Sequence, residues 1–426
     1  MEGLRVHNEP PQGYYHQPSN LLVDHGKGVH FWDSDGNRYI DCASGTFNLH
    51  LGYSHPEITR AIREQAERVL HVTSSFQSGP VNDLVENLVR VSPENLTRVH
   101  LKSSGGSEAV EGAVKIAQQA TGRDEVISFY RSHHGQTLNM IEASGNAFRR
   151  KPFRGGQPHG YYKAPDPYSL RRVFPGKSDE ELGQYALALL EEHIEYATSD
   201  RIAAILIEPI TGNGGNVVQP RGFLRGLRKL CDERGIVLVY DEIQTGLGRT
   251  GHMFGADHAG VYPDMITVAK GLGGGLPIAA ILCEERLLGL GPNDHSFTFG
   301  ANVLAASVAN VILEVISRPE FLPRVRRVGD YVEQRLRALA ERHSRNVAEV
   351  RGAGLMWGLE LTADSPQDAV DLTNTLAHDG LGHGLFLRTS RYGYGNVLKV
   401  RPPLVMTLGE ATEMCDRLDE LFEETV

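Results

Sequence analysis

Cysteine is scarce in this chain of 426 residues: four thiols, Cys42, Cys231, Cys283 and Cys415, lie far apart and none belongs to a Cys-x-x-Cys pair. That spacing argues against a zinc knuckle or a disulfide scaffold and suits reduced, packed thiols. No apolar run approaches the length of a membrane span. The opening "MEGLRVHNEPPQGYYHQPSN" has no basic-then-apolar signal pattern, so a cytoplasmic protein is expected. Positive charge is also short. The formal net charge of −10 disfavours nucleic acid and anionic membranes as partners, so any bound anion needs a local cationic pocket. Internal repeats and low-complexity segments are absent.

What the chain does contain is alternation. The segment "VHFWDSDGNRYIDCASG" reads as a hairpin around an Asp-Gly-Asn turn. In "HPEITRAIREQAERVL", Ile58, Ile62 and Val69 recur at helical spacing. From about residue 98, short apolar strands alternate with amphipathic helices. The strands are "RVHLKSS", "EVISFY", "IAAILIEPI", "IVLVYDEI", "MITVAK" and "PIAAILC". Near-continuous Val/Ile/Leu strands between helices predict an α/β fold with a largely parallel sheet covered on both faces. The expected organisation is an N-terminal segment and hairpin over 1–65, a large domain over 66–315 and a small α+β domain over 316–426. The polar opening is expected to wrap the surface. The hairpin is too small to stand alone, so it should join the small domain or a dimer interface.

In α/β sheets, ligands collect at the carboxyl ends of the strands. Here those ends carry reactive residues. "IVLVYDEIQTG" ends on Asp241 and Gln244, "MITVAK" on Lys270, and "EVISFYRSHHG" near His133 and His134. "RVHLKSSGGSEAVEGAVKIA" passes from a strand through Gly105, Gly106 and Ser107 into a helix. Free backbone amides and a helix dipole make that junction an anion site; as an ordinary helix cap it would need no ligand. It is not a Walker loop, since no Gly-Lys-Ser/Thr follows. "GLGRTG" matches a dinucleotide fingerprint, but no helical period follows it. Adjacent His133 and His134, with no third ligand, make a poor metal site, and no metal is expected.

An amine, a carboxylate and an anion cradle together meet the needs of one cofactor, pyridoxal 5'-phosphate. Its aldehyde takes a lysine, its ring nitrogen an acidic partner and its phosphate backbone donors.

The segment "VYDEIQTGLGRTG" followed by "PDMITVAKGLGGGLPIAA" places Lys270 29 positions after Asp241 (270 − 241). This pair resembles the class III (ornithine/GABA/ω-amino acid) aminotransferases of the pyridoxal-phosphate type I fold. The likeness extends from "DGNRYIDCASGTFNLHLGYSHPEI" to "GNVLKVRPPLV". The resemblance implies Lys270 as the Schiff-base lysine and Asp241 as the pyridine-nitrogen partner. It also implies Gln244 on the phenolic oxygen, Gly106 and Ser107 on the phosphate, and His134 behind the aspartate. Thr298, in "HSFTFGANVLAA", matches a threonine that reaches the phosphate of a neighbouring subunit, which implies a homodimer with a shared site.

Three positions depart from the family pattern. His133 stands where an aromatic usually stacks on the cofactor. Asn213, in "EPITGNGG", replaces a glutamate typical of GABA- and ornithine-type members. Lys399, in "NVLKVRPPL", replaces the arginine that clamps a substrate carboxylate. Strand alternation puts Lys399 and Arg401 on one face, able to receive a carboxylate or a phosphate, or simply to meet solvent. The reading is an aminotransferase that moves an amino group from an amine donor to a carbonyl acceptor by a ping-pong route. A phospho-lyase of the ethanolamine-phosphate type is the alternative, with a decarboxylase or racemase further behind.

Overall fold

The computed structural model describes residues 21–73, 75–153, 159–287, 290–291, 293–390 and 395–426. The expected N-terminal wrap lies outside these residues. Seven strands form the main sheet: β1 (Arg98–Ser103), β2 (Glu125–Phe129), β3 (Tyr161–Ala164), β4 (Ile202–Ile207), β5 (Val237–Asp241), β6 (Met265–Val268) and β7 (Ala279–Cys283). Their order across the sheet is β1-β7-β6-β5-β4-β2-β3. β2 and β4 to β6 are buried at every residue, as strands covered on both faces must be.

β7 alone runs against its neighbours, pairing antiparallel with both β6 and β1. The reason is chain length. Only residues 269–278 separate β6 from β7, and a parallel return needs a crossover of a dozen or more residues. The glycine run "GLGGG" belongs to this tight return. A Cβ on Gly273 would collide with the Leu276 carbonyl oxygen, and Gly274 and Gly275 hold φ of 53° and 110°.

Helices cover the sheet, among them α1 (Gly106–Thr121), which carries buried Val110, Ala113, Val114 and Ala117 on one side. The helix at Pro56–Ala66 is shorter than its apolar period suggested: it stops before Val69, which is exposed. A separate four-stranded sheet near the C-terminus joins Val347–Ala353, Met356–Leu361, β8 (Val397–Val400) and Arg388–Thr389. Both chain ends meet in a further sheet. The hairpin strands His30–Asp33 and Arg38–Asp41 pair antiparallel, and the second pairs in parallel with Leu385–Phe386. Asp33 holds the turn by accepting from the Asn37 backbone and side chain. No helix among the described residues is long and apolar enough to cross a membrane.

Candidate active site

One cavity of about 390 Å³ opens at the carboxyl ends of β2, β4, β5 and β6. Eight residues singled out by sequence line it: Gly105, Gly106, Ser107, His133, His134, Asp241, Gln244 and Lys270. Thr46, Asn48 and Leu276 are among the other residues that line it.

Lys270 begins the short turn that leaves β6, with a backbone φ of 39°. A lysine in the left-handed region is strained, and such strain concentrates at functional sites. Burial depresses its ammonium to about 8, against the opposing pull of Asp241 and Glu208. A working fraction of the amine is therefore neutral near physiological pH.

Asp241 ends β5 and is 3% exposed. Its Oδ2 meets His134 Nδ1 at 2.8 Å, and its Oδ1 accepts the Ile243 N–H at 3.2 Å. His134 is held in turn by its backbone N–H, which donates to Ser144 Oγ at 2.9 Å. His133, beside it, is pushed down to about 3 by burial and then by Lys270, so its imidazole is neutral.

The junction expected to take an anion is a bare helix start. α1 starts after Gly105 with no side-chain cap, and Ser107 lies inside its first turn instead of capping it. Ser107 Oγ accepts the Gln136 N–H at 3.0 Å. The helix-start amides therefore have no side-chain acceptor and point their dipole at the cavity. A Cβ on Gly106 would come within 2.8 Å of Ile243, so glycine keeps the cradle open.

Sequence reasoning did not single out Glu208, which follows β4 and lines the same cavity. It accepts the backbone N–H groups of His133 and Gly212, both at 2.8 Å. Burial, and then Asp241, raise its carboxyl to about 7. A carboxylate at the end of the wholly apolar "IAAILI" was the available signal.

Lys399 and Arg401 lie outside the cavity lining and are not solvated. They are 2% and 1% exposed, and they approach the Phe47 ring at 5.6 and 4.2 Å. Phe47 itself sits at φ 62°. Arg401 donates to Gln244 Oε1 at 2.6 Å and to the Gly212 carbonyl at 2.8 Å. Arg249, in the "GLGRTG" run, is also buried. It donates to the carbonyls of Leu355 and Pro402 and to Ser44 Oγ, so it ties segments together and forms no nucleotide loop. Thr298 stands apart. It is exposed and lines a second cavity with His71, Phe76 and Lys102. Among the described residues no His/Cys/Asp/Glu group could hold a metal ion.

The chain belongs to the class-III aminotransferase family, whose model matches residues 13–422. An acetylornithine aminotransferase of Methanothermobacter thermautotrophicus is 34% identical over 97% of this chain and 96% of its own. One from Myxococcus xanthus is 40% identical, covering 82% of each chain. An amine transaminase from an uncultivated Pseudomonas species, solved with PLP bound, superposes with a TM-score of 0.88. It is 30% identical, and the match covers 98% of both chains. The protein is accordingly a transaminase, an enzyme that passes an amino group from an amine donor to a carbonyl acceptor. Membership of this family implies pyridoxal phosphate as the cofactor.

Proposed function

We propose that the cavity holds pyridoxal 5'-phosphate, with Lys270 as the amine that bonds its aldehyde. The residues fit the group. A buried carboxylate suits a ring nitrogen, an uncapped helix start suits a phosphate, and a buried amine suits an aldehyde. Bound there, the cofactor supplies a sink for the electron pair left on the substrate carbon when its proton departs. Asp241, steadied by His134, would hold a proton on the ring nitrogen. Gly106 and Ser107 offer backbone amides to the phosphate. His133 would lie against the ring, and the amide of Gln244 would address the ring oxygen. Lys270, as a neutral amine at the cavity, would serve as the base that takes the substrate carbon's proton and the acid that returns it. The observation that carries this reading is the convergence of Lys270, Asp241 and the α1 start on one cavity.

We further propose a cytosolic homodimer in which Thr298 completes the partner's phosphate site. Exposed Leu70, Phe76 and Phe299 around Thr298 support an interface there. Four free, buried cysteines suit a reducing compartment.

For the substrate, we propose that Lys399, buried over Phe47 behind the cavity lining, is the cation that favours a donor with an anionic or polar end. A point charge at this position lacks the bidentate carboxylate grip of an arginine. Ornithine and GABA should therefore be poor donors. The test is a panel of amines that includes acetylornithine, ornithine, GABA and a phospho-amine, scored for amino transfer to a keto acid and for phosphate release. Efficient GABA or ornithine turnover overturns the substrate reading, and phosphate release without transfer overturns the reaction.

A further inference from the structure

The cation that follows β8 has a different task from the one inside it. We propose that Arg401 is a positioning residue for Gln244, fixing which end of that amide faces the cofactor, and is not a clamp for the substrate. The proposal rests on the cofactor-binding reading above.

Three observations meet here. First, the Arg401 fork is occupied: one nitrogen donates to Gln244 Oε1 at 2.6 Å and another to the Gly212 carbonyl at 2.8 Å. Second, Gly212 supplies the space. A Cβ there would collide with Gln244 Oε1, so the amide reaches the guanidinium only because residue 212 is glycine. The Gly212 peptide is itself pinned from its other side, its N–H donating to Glu208 Oε2 at 2.8 Å. Third, Gln244 lines the cavity with Lys270 and Asp241, whereas Arg401 stands behind it, buried over Phe47.

An amide has one acceptor end and one donor end. With its oxygen held by Arg401, Gln244 can offer the cavity only its N–H groups. A donor is what an anionic ring oxygen needs, and a flipped amide would present repulsion instead. The chain thus encodes the orientation through a residue far away in sequence. Lysine at position 401 would keep the charge and lose the fork.

The test reads the cofactor's spectrum and not turnover. A donor at the ring oxygen draws negative charge away from the neighbouring nitrogen and eases loss of that nitrogen's proton. Losing the donor should raise the pH midpoint of the visible band. In the cofactor-loaded protein, Arg401→Lys should move that midpoint up by about half to one pH unit, the size of one net hydrogen bond. Gln244→Ala should do the same, and the double variant should move no further than either alone. Gly212→Ala, which keeps every charge, should reproduce the shift by displacing the amide. Glu208, Arg249, Arg388, Lys399 and Lys270, the other charged groups near Arg401, are unchanged throughout.

An unmoved midpoint in Arg401→Lys overturns the proposal, as do additive shifts in the double variant. So does a rise of tenfold or more in KM for carboxylate-bearing donors with the spectrum unchanged, the result expected of a substrate clamp. If Arg401→Lys fails to fold, Gly212→Ala and Gln244→Ala decide the matter between them. A wild-type protein with no visible band after addition of pyridoxal phosphate would instead sink the cofactor reading.

Discussion

The floor and the flank of the cavity are built on different principles. The floor consists of strand ends from one sheet. Asp241, Lys270 and His134 take their positions from β5, β6 and the loop after β2, which set a carboxylate close to an amine and an imidazole. The flank comes from segments far apart in sequence, Ser44–Phe47 and the end of β8. There three cations, Arg388, Lys399 and Arg401, converge on one aromatic ring at 5.5, 5.6 and 4.2 Å. Opposite charges set side by side can hold a proton in place, as chemistry at a fixed atom requires. A cluster of like charges packed on a ring face makes the local potential positive, with Arg401 itself engaged by Gln244 and the Gly212 carbonyl. On the proposed reading the floor serves the reaction, and on the flank Lys399 bears on the choice of substrate.

Substitutions on the floor should break that comparison hardest. Lys270→Ala is expected to abolish the borohydride-reducible link to pyridoxal phosphate, checked by mass spectrometry of the digested protein; a different modified lysine would refute the assignment. Asp241→Asn should leave a folded, cofactor-loaded protein that loses at least about 1.5–3 kcal/mol of transition-state stabilisation, or roughly 10–150-fold in kcat. Near-wild-type turnover would remove the role given to that carboxylate.

On the flank the expected effects are smaller and fall on binding. Lys399→Ala should raise KM for the preferred donor by about tenfold while cofactor affinity stays the same. Lys399→Arg should improve use of simple α-amino acids by restoring a carboxylate fork. If neither changes any donor's kinetics, the flank does not select substrate.

The amine's pH response sharpens the floor's side of the contrast. Only neutral Lys270 attacks an aldehyde, and burial holds its ammonium near 8 instead of the usual 10.5. The rate at which protein freed of cofactor captures pyridoxal phosphate should thus rise as pH increases through about 8 and level off above it. Stopped-flow absorbance checks this, and a rate still climbing past 10 would mean that the amine is not desolvated.

Much of the sheet was legible because buried parallel strands must be apolar on both faces, which leaves the runs "IAAILI" and "VLVY" little else to be. The floor was legible for the same reason: a polar residue that closes such a run falls at the crevice. β3, "YYKA", escaped notice because an edge strand of four residues, mostly half-buried, carries no such pattern. The reversed direction of β7 was written in the length of the lysine turn more than in the composition of the strand. The pairing of Arg401 with Gln244 joins positions far apart in sequence, and no local pattern encodes it. Strand alternation put Lys399 and Arg401 on one face, but it could not say that the face would turn inward onto Phe47.

The turn that carries Lys270 also bears on redesign. Its backbone leaves no room for new side chains: Gly271 would strike His50, Gly273 would strike Leu276, and Gly274 and Gly275 need backbone angles that other residues resist. Libraries that aim to widen or narrow the amines accepted would waste most of their members there. Thr46 and Asn48 line the same cavity, exposed and half-exposed respectively. They are where variation can alter the shape of the entrance and leave the reacting groups in place.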